Sequence, residues 1–177
     1  MWFATNDSPV WFRVIQAVSV LHTEIAVTLY GVALAYLLFV KREGFWSLVA
    51  LCAIPSGMLV NFAIKHVFMR PRPPIAAAHQ PLSTYSFPSG HTLKTTLFYG
   101  IVVCVLLSGN PGPARRVAAA GCAAMVVLVA FSRVYLGAHY PGDVVGAILE
   151  GIAWLSVVIA WRHARERSRR PALAVGY

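Results

Sequence analysis

Residues 132–143 read SRVYLGAHYPGD, a polar interval set between two apolar runs, Val117 to Phe131 and Val144 to Trp161. Apolar runs separated by short polar intervals predict helices that cross a membrane. Within the interval stand a permanent cation (Arg133), a titratable imidazole (His139) and a carboxylate (Asp143). At an apolar boundary such groups are costly unless they serve one another or a ligand.

The composition agrees. Hydrophobic residues make up 58% of the 177 and charged residues 12%, too little charge for the surface of a soluble globule. The length predicts one domain, residues 1–177. The net charge of +9 would suit nucleic acid if it lay on one solvated face. The Lys and Arg residues instead sit between and after the apolar runs, as topology signals and site residues, so no nucleic-acid partner is expected. Cys52, Cys104 and Cys122 lie in apolar runs without metal-ligand spacing and read as buried small side chains. Trp2 to Pro9 lacks a basic n-region, so no cleavable signal is expected and the first span serves as an anchor.

Pro9 to His22 has an amphipathic pattern too short and polar to span, and is expected to lie along the interface. Glu24 to Val40 forms the first span, closed by the turn Lys41-Arg42-Glu43-Gly44. Phe45 to Phe68 forms the second, with a kink expected at Pro55-Ser56-Gly57. Arg70 to Phe87 is a long proline-rich loop, where Tyr85 and Phe87 suit a membrane interface. Pro88 to Ser108 is the third span, Val117 to Phe131 the fourth and Val144 to Trp161 the fifth. A solvated basic tail follows from Arg162 to Arg170. The expected fold is all-α: an integral membrane bundle of about five transmembrane helices with an N-terminal interfacial helix.

If the spans alternate, Lys41, Arg42, Arg115, Arg116 and the basic tail share one face, which the positive-inside rule makes cytoplasmic. Lys65, the Arg70 loop, His91, Arg133, His139 and Asp143 then share the opposite mouth. This predicts a multi-pass protein of the inner (plasma) membrane with an extracytoplasmic site and a cytoplasmic C-terminus.

The polar inventory of that mouth suits a phosphate. Arg72 and Arg133 present planar forks and Lys65 a point charge. Gly90 permits close backbone approach at a helix N-terminus, and Ser89 offers a hydroxyl. One neutral imidazole can attack phosphorus while a second, protonated, serves the leaving oxygen. Asp143 follows His139 by one helical turn and could hold its ring N–H, which argues for His139 as nucleophile and His91 as acid. None of this requires a metal or a cofactor.

These residues carry a resemblance. Lys65 with Arg72-Pro73, Pro88-Ser89-Gly90-His91, and Ser132-Arg133 with His139 and Asp143 match at every position the signatures KxxxxxxRP, PSGH and SRxxxxxHxxxD. The chain is similar to the type 2 phosphatidic acid phosphatase superfamily. The resemblance implies a helical bundle and a metal-independent phosphatase or diphosphatase acting on lipids. It further implies His139 as nucleophile, Asp143 as its orienting group and His91 as general acid, with Lys65, Arg72, Ser89, Gly90 and Arg133 holding the phosphate. Undecaprenyl pyrophosphate, phosphatidylglycerol phosphate and phosphatidic acid are the substrates it suggests. A lipid phosphotransferase would use the same site. A vanadate-binding haloperoxidase or a non-catalytic lipid carrier fits less well, because the former relatives are soluble and larger and the nucleophile, acid and orienting Asp are all present.

Outside the signatures the readings stay open. Arg70 is a headgroup contact or a lipid anchor, and His79 and Tyr85 border the entrance or are merely solvated. Lys94 faces the pocket or snorkels. Glu150 needs a partner that the sequence does not name. Trp2, Trp11, Trp46, Trp154 and Trp161, near span ends, suggest aromatic belts. The sequence does not address oligomeric state.

Overall fold

The computed structural model describes residues 9–74 and 84–169. These include helices α1 (Pro9–Leu21), α2 (Glu24–Val40), α3 (Gly44–Phe68), α4 (Gly90–Leu107), α5 (Pro113–Tyr135) and α6 (Pro141–Arg169), and no strand among the described residues. The fold is the expected all-α bundle. Helices α3 to α6 are each long and apolar enough to cross a membrane, and α1 with α2, bent by 53° at their junction, make up to a fifth crossing.

Local chemistry sets the boundaries. Proline opens α1, α5 and α6, where a missing N–H costs nothing and φ is already helical. Pro55 lies inside α3, which stays helical through it. Nearby, Ser56 Oγ donates back to Cys52 O at 2.5 Å and to Ala53 O at 3.3 Å. Met69 ends α3 in the left-handed region (φ 44°), its N–H donating to Lys65 O at 2.9 Å. Pro71 and Pro73 then prevent resumption.

Helix α4 is the hub, packing against α2, α3, α5 and α6. Its Leu93, Leu97 and Ile101 are buried with Val27, Ile54 and Ala147. Two glycines allow the approach. A Cβ at Gly57 would lie 2.6 Å from Leu97 Cδ1, and one at Gly151 would lie 2.7 Å from Thr96 Cγ2. Small residues at such crossings let helices pack closely where lipid supplies no hydrophobic drive. Phe39, Leu59, Val67, Val117, Leu149 and Val157 remain exposed, an outer surface suited to acyl chains.

Several expectations change. Helix α5 begins at Pro113 and ends at Tyr135, beyond the apolar run on both sides. Helix α6 runs on to Arg169, so the described part of the basic tail is helical, with Arg162 stacked 5.2 Å over Phe45 and 5.1 Å over Trp46. Trp46 is itself buried in the core, so it is no belt residue. Cys52 is exposed, and Cys104 and Cys122 are half-buried, with Cys104 packed against the core. Trp2, His79 and Arg170 lie outside the described residues.

Candidate active site

Lys65 ends α3, His91 begins α4, Arg133 ends α5 and Asp143 begins α6, so alternating ends bring them to one end of the bundle. There Lys65, Arg72, Gly90, His91, Arg133 and His139 line a cavity of about 230 Å³. Ser89 and Asp143, both fully buried, stand behind that wall.

The connection after α5 places His139. Gly137 takes a positive φ (68°), and the N–H groups of Ala138 and His139 both return to Arg133 O, at 3.0 and 3.2 Å. Pro141 starts α6, and Asp143, in its first turn, reaches back to accept Tyr140 N–H at 2.9 Å, half of a capping box. His139 Nδ1 thereby lies 3.4 Å from Asp143 Oδ2. His139 Nε2 lies 3.3 Å from Arg72 NH1. A guanidinium only donates, so Nε2 must be the acceptor and Nδ1 carries the proton toward Asp143. Burial pushes the His139 imidazole below its ordinary value. The Asp143 contact raises it, while Arg72, Arg133 and Lys65 press it down further. The ring is therefore neutral near pH 7, with Nε2 turned to Arg72, and both residues line the cavity.

The three cations are held by oxygens supplied from other segments. Arg72 donates to Thr84 O at 2.7 Å, Thr84 Oγ1 at 2.9 Å and Ala138 O at 3.2 Å. Burial lowers its pKa against the pull of Asp143, but a guanidinium starts high enough to stay charged. Lys65 Nζ donates to Tyr85 O at 2.7 Å and Pro88 O at 2.6 Å. Arg133 NH1 donates to Ser19 Oγ at 2.5 Å, and its buried Nε has no partner. Ser89 is the N-cap of α4: its Oγ accepts from Thr92 N at 3.5 Å and meets Thr92 Oγ1 at 3.1 Å.

The open readings now resolve geometrically. Arg70 NH1 donates to Asp143 Oδ1 at 2.9 Å and the guanidinium lies 4.3 Å over the Tyr140 ring, so Arg70 is no free lipid anchor. Lys94 is buried against Glu24 at 3.0 Å and does not snorkel. Glu150 accepts from Asn61 Nδ2 at 2.9 Å.

Sequence reasoning missed Ser86, whose hydroxyl donates to Asp143 Oδ2 in a short contact and sits 3.5 Å from His139 Nδ1. It also missed Ser19, Thr84, Glu24 and Asn61. Asn61 precedes Lys65 by one helical turn, and that spacing on one face was a usable signal. The other four reach the site across the fold and carry no local signature.

The match to known proteins follows the same residues. The PAP2 superfamily matches residues 44–167. Phosphatidylglycerophosphatase B of Bacillus subtilis (strain 168) is 29% identical over 136 residues, 75% of this chain and 66% of that protein. A lipid A 1-phosphatase of Rhizobium johnstonii is 33% identical over 119 residues, 62% of this chain and 44% of that protein. The chain thus spans less than two thirds of these relatives. The crystal structure of a transmembrane PAP2-type phosphatidylglycerolphosphate phosphatase from Bacillus subtilis superposes with a TM-score of 0.80 at 25% identity, covering 89% of this chain and 79% of that one. With all three signatures inside the matched region and the same helical framework around them, this chain belongs to the PAP2 superfamily.

Proposed function

We propose that the protein, a single domain, removes phosphate from a membrane lipid phosphate or diphosphate without a metal, through a phosphohistidine on His139. The observation that carries this reading is the two-sided environment of that ring, with Asp143 on Nδ1 and, on Nε2, Arg72, which lines the same cavity. The Nε2 lone pair attacks phosphorus, and the bond from phosphorus to the lipid oxygen breaks. His91 on the cavity wall protonates that oxygen, then takes a proton from the water that attacks the phosphohistidine, releasing inorganic phosphate and free His139. Lys65, Arg72 and Arg133, with the N–H groups at Gly90 and the capped Ser89 turn, hold the phosphoryl oxygens and stabilise the charge that builds on them.

Related proteins named for phosphatidylglycerophosphate and lipid A favour a lipid ester, and the apolar outer surface supports delivery from the bilayer. The Lys41, Arg115 and Arg162 ends carry the excess of basic residues, which supports a site on the extracytoplasmic side of the plasma membrane and a cytoplasmic C-terminus.

The test is phosphate release by the purified protein in detergent, from phosphatidylglycerol phosphate, phosphatidic acid and undecaprenyl pyrophosphate, with EDTA present. Turnover is expected with EDTA and is expected to vanish in His139→Ala and His91→Ala. Wild-type turnover in those variants would refute the roles assigned, and loss of turnover on chelation would refute the metal-independent route.

A further inference from the structure

The cavity is not uniformly cationic. At Gly90 the donors give way to acceptors: a Cβ there would lie 3.9 Å from Asn61 Oδ1, 3.8 Å from Glu24 Oε1 and 3.5 Å from Met58 Cε. All four residues line the cavity. Asn61 is 0% exposed, and its Oδ1 has no partner. Its other end is fixed, because Nδ2 donates to Glu150 Oε2 at 2.9 Å. Glu150 therefore decides which end of the amide faces the cavity, and it is the acceptor. Glu24, whose side chain is 59% exposed, adds a second acceptor at the rim: Oε2 meets Lys94 Nζ at 3.0 Å and Oε1 lies on the Gly90 side.

We propose that Asn61 Oδ1 and Glu24 Oε1 form a hydroxyl-binding niche beside the phosphate site. It selects a lipid phosphate whose alcohol carries a free hydroxyl near the ester oxygen, as a terminal glycerol phosphate does. This rests on the lipid phosphatase reading and narrows it.

Asn61 Oδ1, buried without a partner, needs a donor, and Glu24 Oε1 is a second, more exposed acceptor beside it. A second phosphate would set its own oxygens against the amide and the carboxylate, so a diphosphate is disfavoured. An ammonium gains little, since Lys94 already balances the Glu24 charge. A hydroxyl supplies the proton that Asn61 lacks, and the Met58 methyl offers an apolar contact for the carbon that bears it. Sites built to bind a hydroxyl discriminate against the analogue without one more sharply than apolar pockets discriminate by size.

The test reads binding apart from turnover. His139→Ala protein in phosphatidylcholine nanodiscs is titrated with a phospholipid bearing a terminal glycerol monophosphate and with its deoxy counterpart, a propane-1,3-diol monophosphate. The hydroxylated lipid is expected to bind about tenfold tighter. Adding Asn61→Leu with Glu150→Leu removes both partners of the buried hydrogen bond, so neither is stranded; the two lipids should then bind within about twofold of each other. Equal binding with Asn61 intact overturns the niche without recourse to any variant, and so does a preference that survives the double substitution. Turnover by the wild-type protein separates the two ideas. Hydrolysis of both lipids with equal affinity would sink the niche and keep the phosphatase, whereas a tenfold preference without hydrolysis of any lipid phosphate would do the reverse.

Discussion

His139 is tied on one side to a carboxylate and faces a guanidinium on the other. Its pKa is held down, chiefly by burial. The reactive form is the neutral one, so the sign follows: as pH falls, activity that needs neutral His139 persists through the ordinary histidine value and is lost only below it. The acid limb of kcat/KM is therefore expected below about 6.5; a limb at or above that value would show that the free ring is not depressed. Asp143→Asn should lower kcat on the order of 10³-fold by allowing the wrong ring tautomer. Arg70 meets the fully buried Asp143 through a side chain that is itself 41% exposed and screened by solvent, so Arg70→Ala should cost kcat about tenfold or less, with Arg70→Lys recovering part of it. The signature residues were legible jointly, as three ordered motifs, and not one by one, since a single Arg at a span end is commonly an anchor and a His at a helix start a cap. Ser86 was not, since a serine in a polar loop is ordinary until the fold sets it against Asp143.

Among the elements, α1 matters more than its amphipathic pattern suggested. Through Ser19 it holds Arg133, so Ser19→Ala should weaken inhibition by inorganic phosphate about tenfold and lower kcat with it. At the α4–α6 crossing, a side chain at Gly151 must displace β-branched Thr96. Gly151→Val should destabilise the protein by about 1–3 kcal/mol, read as a lower thermal midpoint in detergent. Helix existence was legible from the apolar runs, but helix ends were not. Hydropathy marks where lipid gives way to water, whereas α5 and α6 continue through Arg115, Arg116 and Arg162 to Arg169, residues that favour both helix and water. Pro113 and Pro141, which open these helices, were the better boundary signals.

Across the whole molecule, alternating helix ends gather the site at one end and the basic residues at the other. The sequence allowed this from charge order alone, whereas the convergence of Asn61 with Glu150 and of Lys94 with Glu24 needed the packing of four helices. With Cys52, Cys104 and Cys122 replaced, a cysteine at Ser83 should react in intact cells with an impermeant reagent and one at Ser168 should not. Equal labelling would break the alternating arrangement. The central claim is the covalent one, and trapping tests it most directly. The protein is mixed with excess lipid phosphate in EDTA, quenched in alkali within milliseconds, digested and mapped by mass spectrometry. A phosphoryl group on His139, absent from the His139→Ala protein, is expected; phosphate on another residue, or full single-turnover hydrolysis with no phosphorylated enzyme, would contradict it.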